Sequence, residues 1–474
     1  MSLAPHFGLR AIAGHHVREA RIESRQNSNG GRRQRPYGEF GRSDVVDRDG
    51  CGDQRDQQDR DETGGHDQTV GSRSFTAEFL PARGRCARRR RIGHLKIVTG
   101  HRYDVGFCHD AGVKNRVMVV SHACVVAANQ AVYAHLATSC DVTLVVPVTW
   151  RDELRRAPYA SQRWPGFVGD LWAVRTLGRG RPQRHVSLVR PRRALRSRGA
   201  DFLILEEEPF SLQSLWWSRA ARRAGIPYAV QVAENLPRKF PAVVRWWCRC
   251  VLANASFVLA RSPQALRQAQ QWGFAGVDAV VPHGVEGTAA ATRIWPVGVV
   301  GFVGRLVEAK GVNDVIRLLQ SEESLSLRVA GDGPLGERFV ELGDRVELLG
   351  TLKPEEMAAF YASVSVVVVP SRTTPTWSEQ FGRVIIEAQE AGVPVVAYDS
   401  GEIPWVSSLT SAVLVPEGDE AALRVATREL AFDEERGRAV GDRGASGVRA
   451  HFTNEVIAAS LQELMNAAIS RAKK

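Results

Sequence analysis

Two glutamates in the last third of the chain are spaced so that they could bind one ligand. Glu379 and Glu387 lie in the stretch SEQFGRVIIEA, on either side of Phe381–Arg383. The pattern predicts a helix whose first turn contains Phe381–Arg383 and which runs to about Ala391. Amide N–H groups of a first helical turn bind anions, a loop carboxylate can accept hydrogen bonds from hydroxyls, and a carboxylate inside the helix can hold a diol such as a ribose. Two glutamates alone could equally be a solvated loop acid and part of an exposed face, so their neighbours decide.

Two cations follow an earlier apolar run and could bind phosphate. The run VGVVGFVG ends at Gly304, and Arg305 and Lys310 come next in GRLVEAKG. Positive charges at a strand end can stabilise a departing diphosphate without a metal ion. Either cation alone would also fit an ordinary basic loop. Further on, VAGDGP places Gly331 and Gly333 at another predicted strand end, where a tight turn could form one wall of a base pocket.

Apolar runs and helical segments alternate regularly through most of the chain. Buried parallel strands are predicted at VMVVSH, DVTLVVPV, DFLILEEEP, IPYAVQVAEN, ASFVLARS and DAVVPHGVE. The alternation starts again at VGVVGFVGRL and continues through LSLRVAGDGP, VSVVVVPS and VPVVAYDS. Such a pattern indicates an α/β protein with doubly wound parallel sheets, whose ligands bind beyond the carboxyl ends of the strands. We therefore predict two Rossmann-like domains that face each other across a cleft, with the site between them.

The predicted domain boundaries follow from these runs and from composition. Residues 1–116 are rich in Asp, Arg, Gln and Gly and offer little apolar surface to bury, so we expect a disordered or non-native extension, with a translation start near Met118 as one explanation. Residues 117–290 are predicted to form an N-terminal Rossmann-like domain on the acceptor side. Residues 291–455 are predicted to form a C-terminal Rossmann-like domain that binds the nucleotide, and residues 456–474 a C-terminal helix.

Polar residues also end the strands of the first predicted domain. Ser121 and His122 follow the strand in VMVVSH. Glu207 and Glu208 lie in the acidic turn EEEP, and Glu234 and Asn235 end the strand in QVAEN. They could meet the donor phosphates or line an acceptor cleft, although structural capping explains each of them equally well. These candidates for the acceptor or phosphate side are Ser121, His122, Glu207, Glu208, Glu234 and Asn235. His283, in VPHGVE, is expected to be an interdomain loop residue rather than a catalyst.

Taken in order, the motifs resemble those of the retaining glycosyltransferases of family four, which have the GT-B fold. The matching stretches are GRLVEAKG, VAGDGP, VELLGTLKPEEMAAFYASVSVVVVPS and SEQFGRVIIEAQEAGVPVVAYDSGEIPWV, and the likeness covers about 117–465. The resemblance implies transfer of a sugar from a nucleotide-sugar donor, of UDP or GDP type, to an acceptor with retention of the anomeric configuration. It also implies that no divalent metal or other cofactor takes part.

The resemblance assigns roles to individual residues. It implies that the two cations bind the phosphates, that Glu387 binds the ribose, and that Glu379 and the amides after it bind the donor sugar. The catalytic candidates are Arg305, Lys310 and Glu379. The donor-binding candidates are Gly304, Gly331, Gly333, Phe381, Gly382, Arg383 and Glu387. The first domain departs from the family pattern, because the loop SHACVVAANQ lacks the usual glycines and Ala233 and Glu234 occupy the end of a strand where many relatives have a histidine.

Charge is distributed unevenly along the chain. The net charge of +11 divides into +6 for residues 1–115, +13 for residues 116–296 and −8 for residues 297–474, which implies different partners for the two halves. Aromatic residues and arginines alternate in WWSRAARRAG and LPRKFPAVVRWWCRC, as they do on interfacial helices. These two stretches form either a contact for an anionic membrane surface or a solvated basic face with buried tryptophans. Without an apolar span or leader, and with seven scattered cysteines, we expect a cytoplasmic protein, peripheral to the inner membrane face if that contact exists, and no nucleic-acid partner.

Three classes of function remain open from the sequence. The first is a glycosyltransferase acting on a glycolipid, a polysaccharide intermediate or a small molecule. The second is another GT-B enzyme, such as a nucleotide-sugar epimerase, which would leave the product sugar on the nucleotide. A phosphorylase would need a pyridoxal-phosphate lysine, for which the chain offers no convincing candidate. The third is a non-catalytic homologue that binds glycans.

Overall fold

The computed structural model describes residues 114–151, 158–287 and 294–474, together with the backbone of Lys96–Ile97. The predicted extension over residues 1–116 therefore lies almost entirely outside the described residues, and so does part of the predicted boundary near residue 290. None of the helices in the described ranges combines the length and the apolar composition that a membrane span requires.

A parallel sheet of eight strands forms the first domain. In chain order its strands are β1 (Lys96–Ile97), β2 (Arg116–Val120), β3 (Asp141–Pro147), β4 (Asp170–Val174), β5 (Phe202–Leu205), β6 (Tyr228–Val232), β7 (Phe257–Ala260) and β8 (Ala279–Val280). Their order across the sheet is β1-β8-β7-β6-β5-β2-β3-β4. The chain runs in one direction from β2 to β4 and in the other from β5 to β8. The loops after β2 and β5 therefore diverge at the switch point of the sheet, where a crevice forms.

The second domain repeats this plan with six parallel strands. They are β9 (Val299–Val303), β10 (Ser326–Ala330), β11 (Val346–Leu348), β12 (Val366–Val369), β13 (Val395–Tyr398) and β14 (Val413–Val415). Their order is β11-β10-β9-β12-β13-β14, so the switch point lies between β9 and β12. Every residue of β12, β13 and β5 is buried, as expected of strands covered on both faces.

Helices cover both faces of the two sheets. The α-helices are α1 (Ala131–Leu136), α2 (Pro191–Ser197), α3 (Leu212–Ala224), α4 (Ala242–Leu252), α5 (Pro263–Gln271), α6 (Val312–Ser321), α7 (Pro354–Ala362), α8 (Arg383–Glu390), α9 (Ile403–Thr410), α10 (Glu420–Phe432), α11 (Glu434–His451) and α12 (Asn454–Lys473). Short 3-10 helices are formed by Ala123–Val125, Ala127–Gln130, Glu308–Lys310 and Gly336–Arg345. Two small antiparallel hairpins join Thr149–Trp150 to Tyr159–Ala160 and Thr176–Leu177 to Val186–Ser187.

The last helix returns to the first domain. α12 begins at Asn454, close to the predicted start, and packs against α1. Its buried residues, among them Ile457, Leu461 and Met465, belong to the same apolar core as Val117 and Val142 of the first sheet. The chain segment that follows the second domain therefore completes the core of the first.

Candidate active site

An ion pair with a buried carboxylate lies at the switch point of the second sheet. Lys310 follows β9 and Glu379 follows β12, and the Lys310 Nζ atom lies 2.6 Å from Glu379 Oε2. The hydroxyl of Ser371 donates a hydrogen bond to the same oxygen at 3.0 Å, and the amide of Gly382 donates to Oε1 at 3.2 Å. The Trp377 ring centroid lies 5.0 Å from Lys310 Nζ. The sequence predicted both charged residues as parts of the site but did not predict that they contact each other.

The surroundings of Glu379 keep it ionised. Burial by itself would raise the pKa of this carboxyl. The charge of Lys310 and the hydrogen bonds from Lys310, Ser371 and Gly382 outweigh burial, so the pKa lies below the usual value for glutamate. Glu379 is therefore a fixed negative charge that holds the lysine ammonium beside the cleft, and two of the three ammonium protons remain for other acceptors.

Close backbone contact brings the two loops together. Gly311, directly after Lys310, has φ +73°, and a Cβ atom at this position would lie only 1.9 Å from the carbonyl oxygen of Pro370 at the end of β12. The amide of Arg372 also donates to the carbonyl of Ala309 at 2.9 Å. Only glycine fits at residue 311 without displacing one of these strand ends.

Helix α8 begins at Arg383, two residues later than the sequence predicted. Gly382 has φ +77° and caps the helix, so Phe381 and Gly382 precede the first turn instead of forming it. The reason is the packing of Phe381, whose buried ring lies 5.5 Å from His283, 5.7 Å from Phe452 and 6.0 Å from Trp405. The left-handed backbone conformation of Gly382 lets the chain turn from this aromatic pocket into the helix. The predicted end of the helix at Ala391 is confirmed.

Glu387 lies one turn into α8 and has two partners. Its Oε1 lies 2.8 Å from Arg383 Nε, and its Oε2 accepts a hydrogen bond of 3.2 Å from the Tyr361 hydroxyl. The carboxylate is 27% exposed, so it retains acceptor capacity on the solvent side. The predicted role toward a ribose stays a prediction.

The glycine turns at the remaining strand ends are tightly packed. The amide of Gly304 donates to Ala330 at 3.0 Å, and a Cβ at Gly331 would lie 1.8 Å from the Gly304 carbonyl oxygen. A Cβ at Gly333 would lie 2.6 Å from the carbonyl oxygen of Leu306. These contacts leave the neighbouring Arg305 exposed at the rim of the strand ends.

A second charged cluster lies at the switch point of the first sheet. His122 follows β2 and Glu207 follows β5. Glu207 accepts a hydrogen bond of 2.8 Å from the His122 backbone amide and another of 2.8 Å from His122 Nδ1. The Nε2 atom of His185, from the loop of a hairpin, lies 3.3 Å from Glu207 Oε1. The Trp150 ring lies 4.8 Å from His122 and 5.1 Å from His185, between ring centroids.

The other acceptor-side candidates have separate environments. Ser121 donates its amide to Val145 and accepts a hydrogen bond from the amide of Cys124 on its hydroxyl oxygen, which is a capping role. Glu208 accepts a hydrogen bond of 2.9 Å from the amide of Ala233, and its other carboxyl oxygen is buried without a hydrogen-bond partner among the described residues. Burial raises the pKa of Glu208 to about 7. Glu234 is also buried and pairs with Arg238.

Asn235 connects the two domains. Its side-chain amide donates a hydrogen bond of 3.0 Å to the backbone carbonyl of Glu379. A second link joins Arg383 Nη1, at the start of α8, to Asn129 Oδ1 in the loop after β2, at 3.3 Å. The two switch points therefore face each other, as expected of two domains that face across a cleft. Burial lowers the pKa of His283, which lies against Phe381 at this junction.

Several side chains at these sites were not predicted from the sequence. His185 and Trp150 lie in short hairpins whose sequences show no regular apolar spacing, and Ser371, Tyr361 and Asn129 are single polar residues beside longer motifs. Ser371 had a usable signal, because it directly follows Pro370 at the end of the apolar strand VVVV. The signal for His185 was weak, since it stands within the arginine-rich stretch RGRPQRHVS.

One group of side chains in the described ranges has the composition of a metal site. Donor atoms of His122, His185 and Glu207 all lie within 4.8 Å of one another. Two imidazoles and one carboxylate form a ligand set that zinc accepts. A proton shared between imidazole and carboxylate satisfies the same contacts, and the hydrogen bonds from His122 already occupy both oxygens of Glu207. The expectation of a metal-independent reaction stays a prediction.

The strand ends that carry Lys310 and Glu379 lie within a recognisable family domain. Residues 298–433 match the family described as Glycosyl transferases group 1. The second domain is a group 1 glycosyltransferase domain. The match runs from just before β9 to the end of α10, and it confirms the resemblance read from the motifs.

Curated relatives carry the names of glycosyltransferases. The chain is similar to a 2-deoxystreptamine N-acetyl-D-glucosaminyltransferase of Streptomyces fradiae, with 34% identity over 153 residues, or 30% of this chain and 35% of the relative. It is also similar to a GDP-mannose-dependent alpha-(1-6)-phosphatidylinositol monomannoside mannosyltransferase of Mycobacterium tuberculosis, with 32% identity over 178 residues, or 34% of this chain and 46% of the relative. The chain thus spans less than half the length of these two relatives.

Solved structures extend the similarity to both domains. Sucrose-phosphate synthase from Thermosynechococcus elongatus superposes with a TM-score of 0.56 at 18% identity, covering 76% of this chain and 100% of that chain. Anabaena Alr3699/HepE, solved in complex with UDP and glucose, superposes with a TM-score of 0.57 at 16% identity, covering 74% of this chain and 100% of that chain. At these identities the similarity shows the fold, and it confirms the predicted GT-B arrangement around the glycosyltransferase domain.

Proposed function

We propose that this protein is a retaining glycosyltransferase that moves a sugar from a nucleotide sugar to a hydroxyl group of an acceptor. The observation that carries the proposal is the Lys310–Glu379 pair at the switch point of the glycosyltransferase domain. Asn235 places this pair opposite the strand ends of the first domain. A bound sugar diphosphate would therefore meet cations from the second domain while its sugar faces the first.

Each group in the second domain has a role in this reaction. The bond between the anomeric carbon and the phosphate oxygen breaks, and the negative charge that develops on the diphosphate is stabilised by Lys310 and by the exposed Arg305. Amide groups at the start of α8 add partial positive charge. Glu379 orients the lysine and accepts hydrogen bonds from the donor sugar, while Glu387 holds the ribose. These roles supply the required charge without a metal ion, and we expect no cofactor.

The acceptor hydroxyl reacts from the face that the diphosphate leaves, so the anomeric configuration is retained. Its oxygen forms the new bond to the anomeric carbon, and its proton passes to the departing phosphate oxygen. This route needs a stabilised leaving group more than it needs a base in the first domain. Names of the relatives include a GDP-mannose-dependent enzyme with a lipid-linked acceptor, and one neighbouring structure contains UDP. We therefore propose a UDP- or GDP-sugar donor and a glycan or lipid-linked acceptor.

The test begins with thermal stabilisation by UDP-glucose, UDP-N-acetylglucosamine, GDP-mannose and related donors, followed by transfer assays with the donor that binds. Lys310→Ala should lower kcat/KM at least 100-fold, because one stabilising donor to the developing charge is lost. Lys353→Ala, which removes an exposed lysine at the start of α7 in the same domain, is the control and should keep full activity. Glu387→Gln should weaken nucleotide binding in calorimetry.

The product distinguishes the alternative functions. Sugar joined to the acceptor with its original anomeric configuration, shown by NMR, supports the proposal. Sugar that is altered but still joined to the nucleotide would identify an epimerase. Binding of glycans without turnover of any nucleotide sugar would identify a non-catalytic homologue. A folded Lys310→Ala variant with wild-type activity would remove this lysine from the mechanism.

We also propose that the first domain lies against an anionic membrane surface. Helices α2, α3 and α4 pack side by side and contain eight arginines but no aspartate or glutamate. Three large apolar side chains project from this face with at least half of their surface exposed: Trp216, Val243 and Trp246. A cavity of about 540 Å³ between α2 and α3 is lined by Leu215, Trp216 and four arginines. Exposed aromatic residues among arginines fit anionic headgroups above an apolar layer.

A further inference from the structure

We propose that His122 is a cationic contact for the diphosphate of the nucleotide sugar, and that Glu207 and His185 are positioning residues that hold it there. The inference rests on the proposed function and assigns the first domain a specific part in it. The loop after β2 has no glycine, so its backbone cannot approach a phosphate as a glycine-rich loop does. A charged side chain at the same strand end would make the contact instead.

Glu207 fixes the ring of His122 at two points. One carboxylate oxygen accepts a hydrogen bond from the backbone amide of His122, and the other accepts one from Nδ1, each at 2.8 Å. Because a carboxylate can only accept, Nδ1 carries a proton, and Nε2 is the ring atom left for a ligand. The His122 side chain is 21% exposed whereas the Glu207 side chain is 1% exposed. Of this pair, only the imidazole can reach a bound molecule.

His185 closes the far side of the cluster. Its Nδ1 donates a hydrogen bond of 2.8 Å to the carbonyl of Pro182, and its Nε2 lies 3.3 Å from Glu207 Oε1. The side chain is 1% exposed, so a ligand cannot reach it. The Trp150 ring packs against both imidazoles. His185 and Trp150 therefore restrict the rotation of His122 and keep water from Glu207.

The location agrees with a phosphate contact. The loop that begins with His122 continues to Asn129, which accepts a hydrogen bond of 3.3 Å from Arg383 at the first residue of α8. The amide groups at this end of α8 form the anion site proposed for the donor. The loop that carries His122 and the start of α8 thus lie at strand ends that face each other across the domain junction.

The charges around His122 favour the imidazolium. Burial lowers the pKa of His122, but the charge of Glu207 and its hydrogen bond outweigh burial and raise the pKa above the usual value. Glu206 and Glu208, on the same loop as Glu207, act in the same direction. Glu206 is itself paired with Arg261 from the strand end after β7, at 2.6 Å. The positive charge of His122 is present at low pH and is lost as the pH rises through the raised pKa.

The test measures UDP and GDP affinity by calorimetry between pH 6.5 and 9 for the wild type and three variants. Wild-type affinity should fall roughly 10-fold as His122 loses its proton, since a charged hydrogen bond contributes about 1.5 kcal/mol. His122→Gln should bind about 10-fold more weakly at pH 6.5 and show no such fall. Glu207→Gln should move the midpoint of the fall to lower pH. His135→Gln is the control, because His135 also lies beside a glutamate, Glu286, but in a partly exposed pair in another part of the domain.

A second readout does not depend on the ligand. NMR titration of 13C-labelled histidine should give His122 a midpoint above that of an exposed histidine, and Glu207→Gln should lower it. His122→Gln with wild-type affinity and wild-type pH dependence would overturn the inference, and so would loss of nucleotide binding on treatment with EDTA, which would assign the cluster to a metal. Failure of the wild type to bind any nucleotide would instead count against the proposed function.

Discussion

At the scale of the residue, three consecutive glutamates show how environment decides chemistry. Glu206 pairs with Arg261, Glu207 contacts two imidazoles, and Glu208 accepts a hydrogen bond from a backbone amide and forms no ion pair with a cation in the part of the chain that the structure describes. Contact with the histidines lowers the pKa of Glu207 to about 2 against the opposing effect of burial, whereas burial raises the pKa of Glu208 to about 7. Nothing in the sequence EEEP distinguishes these three glutamates from one another.

The raised pKa of Glu208 predicts a pH-dependent stability. Its carboxyl ionises near pH 4.5 in the unfolded chain but only near pH 7 in the folded one. Below pH 4.5 this group does not change the free energy of unfolding with pH. Between pH 4.5 and about 7 the free energy of unfolding falls as the pH rises, because the unfolded chain loses the proton first. Above that range it changes no further. Glu208→Gln cannot ionise and keeps an oxygen for the Ala233 amide. The variant should gain about 3 kcal/mol relative to the wild type between pH 4.5 and pH 8.

Urea unfolding at the two pH values measures this difference. Glu355→Gln, which changes an exposed glutamate of α7, provides the matched control and should leave the gap between variant and wild type the same at both pH values. An equal gap for Glu208→Gln at pH 4.5 and pH 8 would show that the pKa of Glu208 is the same in the folded and the unfolded chain. In that case the buried carboxylate must have a cation or water partner.

At the scale of the element, the site depends on how closely strand ends approach each other. β9 and β12 are parallel neighbours at the switch point, and the turn after β9 contacts the end of β12 through Gly311 and Pro370. We expect this contact to determine the distance between Lys310 and Glu379. The helix that follows Gly382 could be predicted from its apolar spacing, but its first residue could not, because the position of Phe381 is decided by aromatic rings from distant segments.

Two glycines with similar backbone conformations allow the cost of a steric clash to be distinguished from the cost of backbone strain when each is replaced by alanine. Gly311 has φ +73° and ψ +28°, and Gly225 at the end of α3 has φ +71° and ψ +18°. Among the described residues, no heavy atom lies within 4 Å of a Cβ placed at Gly225, whereas a Cβ at Gly311 would lie 1.9 Å from the Pro370 oxygen. Gly225→Ala should cost about 1 kcal/mol of unfolding free energy. Gly311→Ala should cost at least about 3 kcal/mol and also lower transfer activity, because Lys310 is displaced.

Unfolding curves and assays of both variants test this explanation. Equal losses of stability would show that the backbone around residue 311 relaxes without cost. A stability loss without a change in activity would mean that the distance between Lys310 and Glu379 does not depend on this contact.

At the scale of the whole molecule, charge separates the two domains. The arginine-rich face of α2, α3 and α4 belongs to the basic first domain, while residues 297–474 carry a net charge of −8. A protein that docks through its basic face would leave the acidic second domain away from the lipid. Such an orientation would bring the acceptor side of the cleft toward a lipid-linked substrate.

Vesicle sedimentation tests the orientation. The wild type should bind vesicles that contain phosphatidylglycerol at low salt and should be released at high salt. Arg219→Glu with Arg223→Glu should weaken binding at least 10-fold, since each basic residue near the surface contributes about 1 kcal/mol. Arg443→Glu with Arg449→Glu, on α11 of the other domain, changes the net charge equally and should bind like the wild type. If both double variants weakened vesicle binding equally, or if the wild type did not bind vesicles, the proposal that this face contacts the membrane would be contradicted.

The sequence alone determined the two runs of strands and helices, the cations after β9 and the glutamates around α8, because these depend on local periodicity and on residues near strand ends. The tertiary structure decided which strand ends meet. Lys310 and Glu379 are 69 residues apart, and His122 and Glu207 are 85 apart, yet each pair shares a hydrogen bond. Their contact depends on where the order of strands reverses, which is set by the packing of helices on both sheets and not by spacing along the chain.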